Sequence, residues 1–306
     1  MKALVTGGAG FIGSHLVERL VADGCSVRVL DDFSTGKPEN LATCRSVETI
    51  RGDVADPAAV RTALAGCELV FHQAAVASVP KTIEDPLGSQ RVNYQGTLTV
   101  LEAARRAGVK RLVFAASSAV YGDTPTLPAT EEAAARPLSP YAVDKLASEY
   151  ACRVYTQLHG LETVCLRYFN VYGPRQDPSS PYSGVISLFA NALRAGRAPV
   201  ILGDGGQTRD FVYVGDVVEA NLRAARAPAA SAKVLNIGSG RAVSISRLYA
   251  IVGEAAGHQV GPRFGPPRDG EVRHSVADAE RARELLGWEA RVGLEDGIRR
   301  LLASLA

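Results

Sequence analysis

Tyr141 and Lys145 stand four residues apart in the stretch Ser139-Pro140-Tyr141-Ala142-Val143-Asp144-Lys145, a spacing that can make a general base. Ser139 suits a helix N-cap and Pro140 the first helical position, so the sequence predicts a helix running through Leu158 and closed by Gly160. The two side chains then share a face. A free phenol titrates near ~10, too high for a base at neutral pH, but a cation one turn away favours the phenolate. Such a pair could take a proton from an alcohol. Taken alone, the spacing more simply describes a partly buried tyrosine and a solvated lysine, so the surrounding elements must decide.

Those elements begin at the N-terminus. Ala3-Leu4-Val5 is a short apolar strand that stops at Thr6-Gly7-Gly8-Ala9-Gly10-Phe11-Ile12-Gly13, and Ser14 to Asp23 reads as an amphipathic helix closed by Gly24. Glycines at 7, 10 and 13 permit a tight turn, close approach of a pyrophosphate to the backbone at Phe11 and Ile12, and close packing of helix on strand. A second strand, Val27 to Leu30, ends in Asp31 and Asp32. Carboxylates there accept from a ribose diol and repel a 2′-phosphate, which predicts NAD rather than NADP.

The alternation of strand and helix continues. Val47 to Arg51 is a third strand, followed by Asp53-Val54, which could bracket an adenine or form a plain surface turn. Asp56-Pro57 starts a helix to Leu64, Leu69 to Gln73 is a buried strand, and Gln73-Ala74-Ala75 leave its carboxyl end, where open α/β sheets hold ligands. His72 is expected to be a structural histidine rather than a catalytic one. A helix over Val92–Arg106 and a strand over Arg111–Ala115 complete the series, and Ser117 leaves that strand on the same face. Ser117 could share a substrate hydroxyl with Tyr141, or it could only satisfy its own turn. The repeated unit predicts a doubly wound parallel, Rossmann-type sheet.

After Asn170 a loop rich in Pro, Gly and Ser marks the expected domain crossing, with residues 1–170 as the cofactor domain and 171–306 as a smaller, interleaved substrate domain. Gly184-Val185 opens a helix to Arg194 whose N-terminus could receive an anion. Strands follow at Val200–Leu202 and around Thr208–Val214, where Arg209 could grip a diphosphate. A helix is expected from Asp216 to Arg226, then a strand Val234–Ile237 returning to the main sheet, and helices from Asp278 and Leu294.

The 306 residues, 46% hydrophobic and 22% charged, suit a globular protein with a large core. Its 34 basic and 32 acidic residues give a net charge of +2 without clusters, which argues against a nucleic-acid or membrane partner and for a small molecule. Five dispersed cysteines without CxxC exclude a disulfide framework or a zinc site and read as reduced thiols, so a cytoplasmic protein without a metal is expected. No secretory leader and no membrane span of ~18 apolar residues is expected.

In combination, Thr6-Gly7-x-x-Gly10-x-x-Gly13, Asp53-Val54, Ser117, Tyr141-x-x-x-Lys145 and Arg167-Tyr168-Phe169-Asn170 resemble the extended short-chain dehydrogenase/reductase family, specifically its nucleotide-sugar epimerases and dehydratases. The resemblance covers nearly the whole chain. It implies that Ser117 and Tyr141 contact the sugar 4-hydroxyl, that Tyr141 is the base, and that Lys145 holds the nicotinamide ribose and lowers the Tyr141 pKa. It adds Asn93 and Tyr168 as cofactor contacts, Asn170 on the substrate side, Arg268 facing a diphosphate and Glu271 facing a uridine ribose.

The dehydratases of the family carry an Asp-Glu pair where this chain has Ser118-Ala119, and the related decarboxylases a glutamate at the Ala119 position; neither carboxylate is present. What the resemblance leaves is an NAD-dependent UDP-hexose 4-epimerase. A lysine that follows the Ala75 position in long-studied galactose epimerases is replaced by Val76-Ala77-Ser78, with Gln73 or Lys81 as substitutes. Ser275 aligns with the wall of the sugar pocket, where a small residue leaves room for an N-acetyl group. A homodimer through the Val92–Arg106 and Tyr141–Leu158 helices is a further expectation from the family. A UDP-glucuronate 4-epimerase, a nucleotide-sugar reductase and a non-catalytic NAD sensor stay open at this point.

Overall fold

A computed structural model describes residues 1–176, 184–257, 260–267 and 272–305. In chain order, β1 (Lys2–Thr6) leads through α1 (Phe11–Ala22) to β2 (Ser26–Asp31) and β3 (Glu48–Arg51). Then come α2 (Pro57–Leu64), β4 (Leu69–His72), two short helices α3 (Val79–Glu84) and α4 (Pro86–Gln90), and α5 (Gly96–Arg106). β5 (Arg111–Ser117), α6 (Pro140–His159) and β6 (Glu162–Tyr168) follow. These strands pair in parallel in the order β6-β5-β4-β1-β2-β3. The order reverses between β1 and β4, and a doubly wound sheet holds its ligand at that reversal.

Alternate residues of each strand feed opposite cores, as expected of a parallel sheet covered on both faces. Ala3, Val5, Val27, Val29 and Phe71 pack towards α1, while Leu4, Leu30, Val70, Leu112 and Phe114 pack towards α2, α5 and α6. Two buried arginines close helix ends. Arg28 on β2 donates to the carbonyls of Thr62, Ala63 and Ala65 at the end of α2. Their orphan acceptors are thereby satisfied.

The rest of the chain runs β7 (Asn170–Tyr172), α7 (Val185–Arg194), β8 (Val200–Leu202), β9 (Thr208–Tyr213), α8 (Val214–Arg226) and β10 (Lys233–Ile237). It ends with β11 (Ala242–Ser244), α9 (Ile245–Ala256), β12 (Arg263–Gly265), α10 (Glu280–Leu286) and α11 (Leu294–Ser304). β10 pairs in parallel with β6 and makes the main sheet seven-stranded. Arg111 on β5 closes the end of α8 in the way that Arg28 closes α2, donating to the Ala224 and Ala227 carbonyls. β7, β9 and β11 form a second sheet over a core containing Phe189, Leu193, Leu248 and Ile298.

Several boundaries differ from the sequence reading. α1 starts at Phe11 and α8 at Val214, two residues before Asp216, whose carboxylate instead receives the Arg291 and Val292 amides. The helix expected over Val92–Arg106 is wound as a π-helix over Arg91–Gln95 and becomes α-helical only at Gly96. The helix expected from Asp278 starts at Glu280, with the Asp278 carboxylate receiving the Glu280 amide. No helix among the described residues is long and apolar enough to cross a membrane.

α6 is tied to the sheet by a buried ion pair. Arg167 on β6 donates to Glu149 at 2.9 and 2.7 Å, and its guanidinium lies 4.7 Å from the Tyr121 ring centre. The Tyr121 hydroxyl donates to Asn236 on β10 at 2.6 Å. Removing one partner of such a pair leaves a buried charge unpaired. Arg167→Ala should therefore lower unfolding stability by ~3–5 kcal/mol in a urea titration, and wild-type stability in that variant would show that the pair does not anchor α6.

Candidate functional site

The glycine turn sets the geometry of a groove along the carboxyl ends of the strands. Gly7 has φ of +66°, and a Cβ there would lie 2.7 Å from the Ala74 nitrogen at the end of β4. A Cβ on Gly13 would lie 2.1 Å from the Gly7 carbonyl oxygen, so α1 can meet β1 only with glycine at that point. Gly10 is different. Its Cβ would meet only the Gly7 oxygen at 3.2 Å and would otherwise stand in the groove. No side chain caps α1, so the first-turn amides at Phe11, Ile12 and Gly13 face outward as donors for an anion.

Asp31 binds this turn to the loop after β2. Its carboxylate receives Ala9 N and Phe33 N, each at 2.9 Å, and burial raises its pKa against those bonds. Asp32 is exposed and receives the Ser34 amide and hydroxyl. Both line the groove, as do Asp53 and Val54 across from them. Asp53 is held by Arg91 at 2.6 Å. The far wall is made by Gln73, Ala74 and Ala75, and the end beside β5 and β6 by Tyr141, Lys145 and Tyr168.

His72 is structural. It is 1% exposed, with Nδ1 2.7 Å from Thr6 Oγ1 and Nε2 3.0 Å from Thr97 Oγ1, and burial lowers its pKa to about 3. Asn93 does not line the groove, contrary to its expected direct contact. Its side-chain oxygen receives Val76 N at 2.8 Å and its amide donates to Val76 O at 3.3 Å, so it fixes the wall from behind.

The helix that brings Tyr141 and Lys145 there, α6, is capped by Ser139, whose hydroxyl receives Ala142 N, and ends at Gly160 with φ of +70°. Tyr141 and Lys145 share one face, the Lys145 ammonium lying 5.8 Å from the Tyr141 ring centre. Lys145 is 2% exposed and donates to the Ala115 carbonyl at 2.7 Å. Burial lowers its pKa to about 8. The Tyr141 phenol departs from the expectation: burial raises its pKa, and the contact opposing burial is the Ser117 hydroxyl rather than Lys145. Burial of the phenol outweighs that contact. The Ser117 oxygen also satisfies its own turn, receiving Ala119 N at 3.2 Å.

A second cavity of about 580 Å³ is lined by Asn170, Val185 and Arg209 together with apolar side chains such as Leu188 and Ile201. The Arg209 guanidinium donates to the Thr208 carbonyl at 2.8 Å. Gly184 is the N-cap residue of α7 and does not line the cavity. Ser275 is half-buried, its amide bonded to the Thr208 carbonyl, and lines neither space. Arg268 and Glu271 lie outside the described residues.

Sequence reasoning missed Asn221. Its amide and the Gln73 amide form a closed set of hydrogen bonds with the Tyr168 hydroxyl at 2.8–3.2 Å. A single asparagine on the buried, otherwise apolar face of α8 was the available signal. The groove-lining run Ser34-Thr35-Gly36 was also missed; a Cβ on Gly36 would lie 2.7 Å from the Asp31 carboxylate.

Residues 3–238 match the model of the NAD dependent epimerase/dehydratase family. The chain belongs to that family. The match spans the glycine turn, Tyr141 and Lys145, and the Arg209 strand. Over 304 residues the chain is 44% identical to the UDP-glucose 4-epimerase of Mycolicibacterium smegmatis, covering 97% of this chain and 96% of the relative. The solved UDP-glucose 4-epimerase of Thermotoga maritima with UDP-glucose is similar at a TM-score of 0.96 and 38% identity, over 100% of this chain and 98% of that one. The Thermus thermophilus UDP-glucose 4-epimerase in complex with NAD gives 0.91 and 42%, over 99% and 98%.

The groove fits the dinucleotide of this family, because Gly10 is demanded by space for a ligand more than by any protein atom. Gly10→Ala should accordingly keep near-normal thermal stability yet lose NAD affinity at least ~10-fold by calorimetry, whereas Gly13→Ala should lose both. Unchanged NAD affinity in Gly10→Ala would refute this account of the cradle.

Proposed function

We propose that the protein is an NAD-dependent UDP-hexose 4-epimerase acting on UDP-glucose and UDP-galactose. The observation that carries this reading is that Tyr141 and Lys145 line the same groove as the glycine turn. Bound NAD supplies a hydride acceptor and donor for C4 of the sugar. Tyr141 takes the 4-hydroxyl proton as that carbon is oxidised and returns it after the keto sugar has turned over. Ser117 shares the same oxygen and opposes the effect of burial on the phenol. Lys145 holds the cofactor ribose and supplies positive charge beside the ring. No net oxidation results.

Elimination or decarboxylation would need a further acid or base. The carboxylates lining the groove are Asp31, Asp32 and Asp53, all at the end away from Tyr141, and Ser118 and Ala119 carry none. We assign residues 1–170 with β10 to the cofactor half and 171–306 to the nucleotide-sugar half, where Asn170, Val185 and Arg209 would meet the substrate with Arg268 and Glu271. Ser275 lines neither cavity, so whether its small side chain opens the sugar wall to an N-acetyl group is read from turnover of UDP-N-acetylglucosamine. With free thiols throughout, the cytoplasm is the compartment we assign.

Incubation with NAD and each of UDP-glucose, UDP-N-acetylglucosamine and UDP-glucuronate, followed by proton NMR of the anomeric signals, tests the reaction. The expected result is the 4-epimer of UDP-glucose without accumulating NADH, with Tyr141→Phe slower by ~10²–10⁴-fold. Full turnover by Tyr141→Phe would sink the mechanism, and net NADH formation would make the protein a dehydrogenase.

A homodimer is part of the same reading. Val143, Tyr150, Val154 and Leu158 are exposed along one stripe of α6, beside α5, and such a stripe is costly to leave in water. Light scattering should give a dimer for the native chain and a monomer for Leu158→Glu; a native monomer would refute this assignment.

A further inference from the structure

A buried amide side chain can sit in either of two orientations, and its neighbours decide which. Asn221 on α8 is wholly buried and does not line the groove. One of its amide atoms lies 2.8 Å from the Val217 carbonyl oxygen, one turn earlier in the same helix. A carbonyl only accepts, so that atom is the Asn221 nitrogen and the other is its oxygen. The Asn221 oxygen lies 3.1 Å from the side-chain amide of Gln73, at the end of β4. This oxygen also only accepts, so Gln73 turns its nitrogen towards Asn221. The second hydrogen of that nitrogen is within reach of the Tyr168 hydroxyl at 3.2 Å.

The Gln73 oxygen is left with little. Among the described residues its partner is the Tyr168 hydroxyl at 3.4 Å, and that hydroxyl has a single proton, for which the Asn221 oxygen competes from 3.0 Å. An amide oxygen has two lone pairs, so at least one is open to a ligand. Gln73 is half-buried and lines the groove together with Tyr141, Lys145 and Tyr168. Tyr168 stands opposite Ser117 in the pairing of β5 with β6, and Ser117 is the hydroxyl that meets Tyr141. The open acceptor therefore belongs to the same end of the groove as the phenol.

We propose that Asn221 is a positioning residue that locks the Gln73 amide with its oxygen towards the groove, where that oxygen accepts the carboxamide NH₂ of the nicotinamide. The nicotinamide's place beside Tyr141 rests on the function proposed above, but the locked orientation of Gln73 does not. A fixed acceptor suits this group better than a ribose hydroxyl. A hydroxyl can donate or accept and needs no locked partner, whereas an amide NH₂ only donates. A group of similar size without those hydrogens would leave the Gln73 oxygen unpaired against it. The bond would also hold the ring at one angle while the sugar turns.

The probe is 3-acetylpyridine adenine dinucleotide, in which a methyl group replaces the carboxamide NH₂. By calorimetry on the full chain without UDP-sugar, the native protein should bind it ~10-fold more weakly than NAD. In Asn221→Leu, where the Gln73 amide is free to turn, that ratio should fall at least ~3-fold, and in Gln73→Leu, which has no acceptor, it should approach one. Adding Gln73→Glu to Asn221→Leu should restore the ratio, because a carboxylate offers an oxygen whichever way it turns. Thermal melts show which variants fold, and Gln73→Leu, on the groove wall, carries the test if Asn221→Leu does not. A native ratio near one, or the native ratio kept by either folded leucine variant, overturns the proposal; in Asn221→Leu that result would make Asn221 a support of the fold alone. Because no UDP-sugar enters the measurement, this outcome is separate from failure of the epimerase reading, which would appear as absent turnover in the native chain.

Discussion

A side chain on Gly7 would push apart the two strands at which the sheet order reverses, and one on Gly13 would push α1 away from β1. From that steric limit the rest of the groove follows. With only hydrogens at these positions, the turn lies against the end of β4 and α1 against β1, and unpaired amides face the opening instead of being used up in packing. Asp31 then serves two loops at once, holding Ala9 on one side and Phe33 on the other. Its charge is buried at a cost that the two amide bonds offset. Ligand binding and fold stability thus draw on the same few atoms.

The opposite end of the groove is governed by burial of charge. α6 carries Lys145 and Glu149 into the protein, and each needs a different solution. Glu149 finds Arg167, which is itself stacked over Tyr121 and so connects the helix to β6 and β10. Lys145 finds a carbonyl and a ring. The outcome is a helix that cannot slide without exposing an unpaired charge, and a tyrosine held in a fixed relation to both strand ends. Rigidity of this kind is what a proton transfer at one oxygen requires.

Much of this was legible because its signals are local. Glycines at 7, 10 and 13 after an apolar strand, acids at the end of the next strand, and Ser139-Pro140 with Gly160 twenty residues on each prescribe a backbone shape within a few residues. The π-helical turn was not legible. Nothing in Arg91-Val92-Asn93-Tyr94-Gln95 breaks an α-helix; the extra residue per turn is stabilised by partners far away in sequence, since the Asn93 carbonyl receives the Thr97 and Ser148 hydroxyls and its side chain grips Val76. The Tyr141 phenol misled for the same reason. Helical spacing brings Lys145 near, but the depth of burial and the orientation of the cation to ring or oxygen belong to the tertiary structure. Gln73 joining Tyr168 and Asn221 depends on β4, β6 and α8 meeting, which no local window contains.

A reaction that ends with its cofactor unchanged makes opposed demands on its two binding spaces. The dinucleotide has to stay while the oxidised sugar turns. The groove meets the first demand with close backbone approach, small side chains and a wall fixed from behind by Asn93, all within about 290 Å³. The second cavity, at about 580 Å³, is lined mostly by apolar groups. Under the proposed function, Arg209 there would grip the nucleotide or diphosphate, while the apolar lining offers few directed contacts. Every strong hydrogen bond to the sugar ring would favour one face and slow the turn. A pocket that binds the handle firmly and the ring loosely is therefore the form that the proposed chemistry selects, and it also explains how several hexoses could share one site.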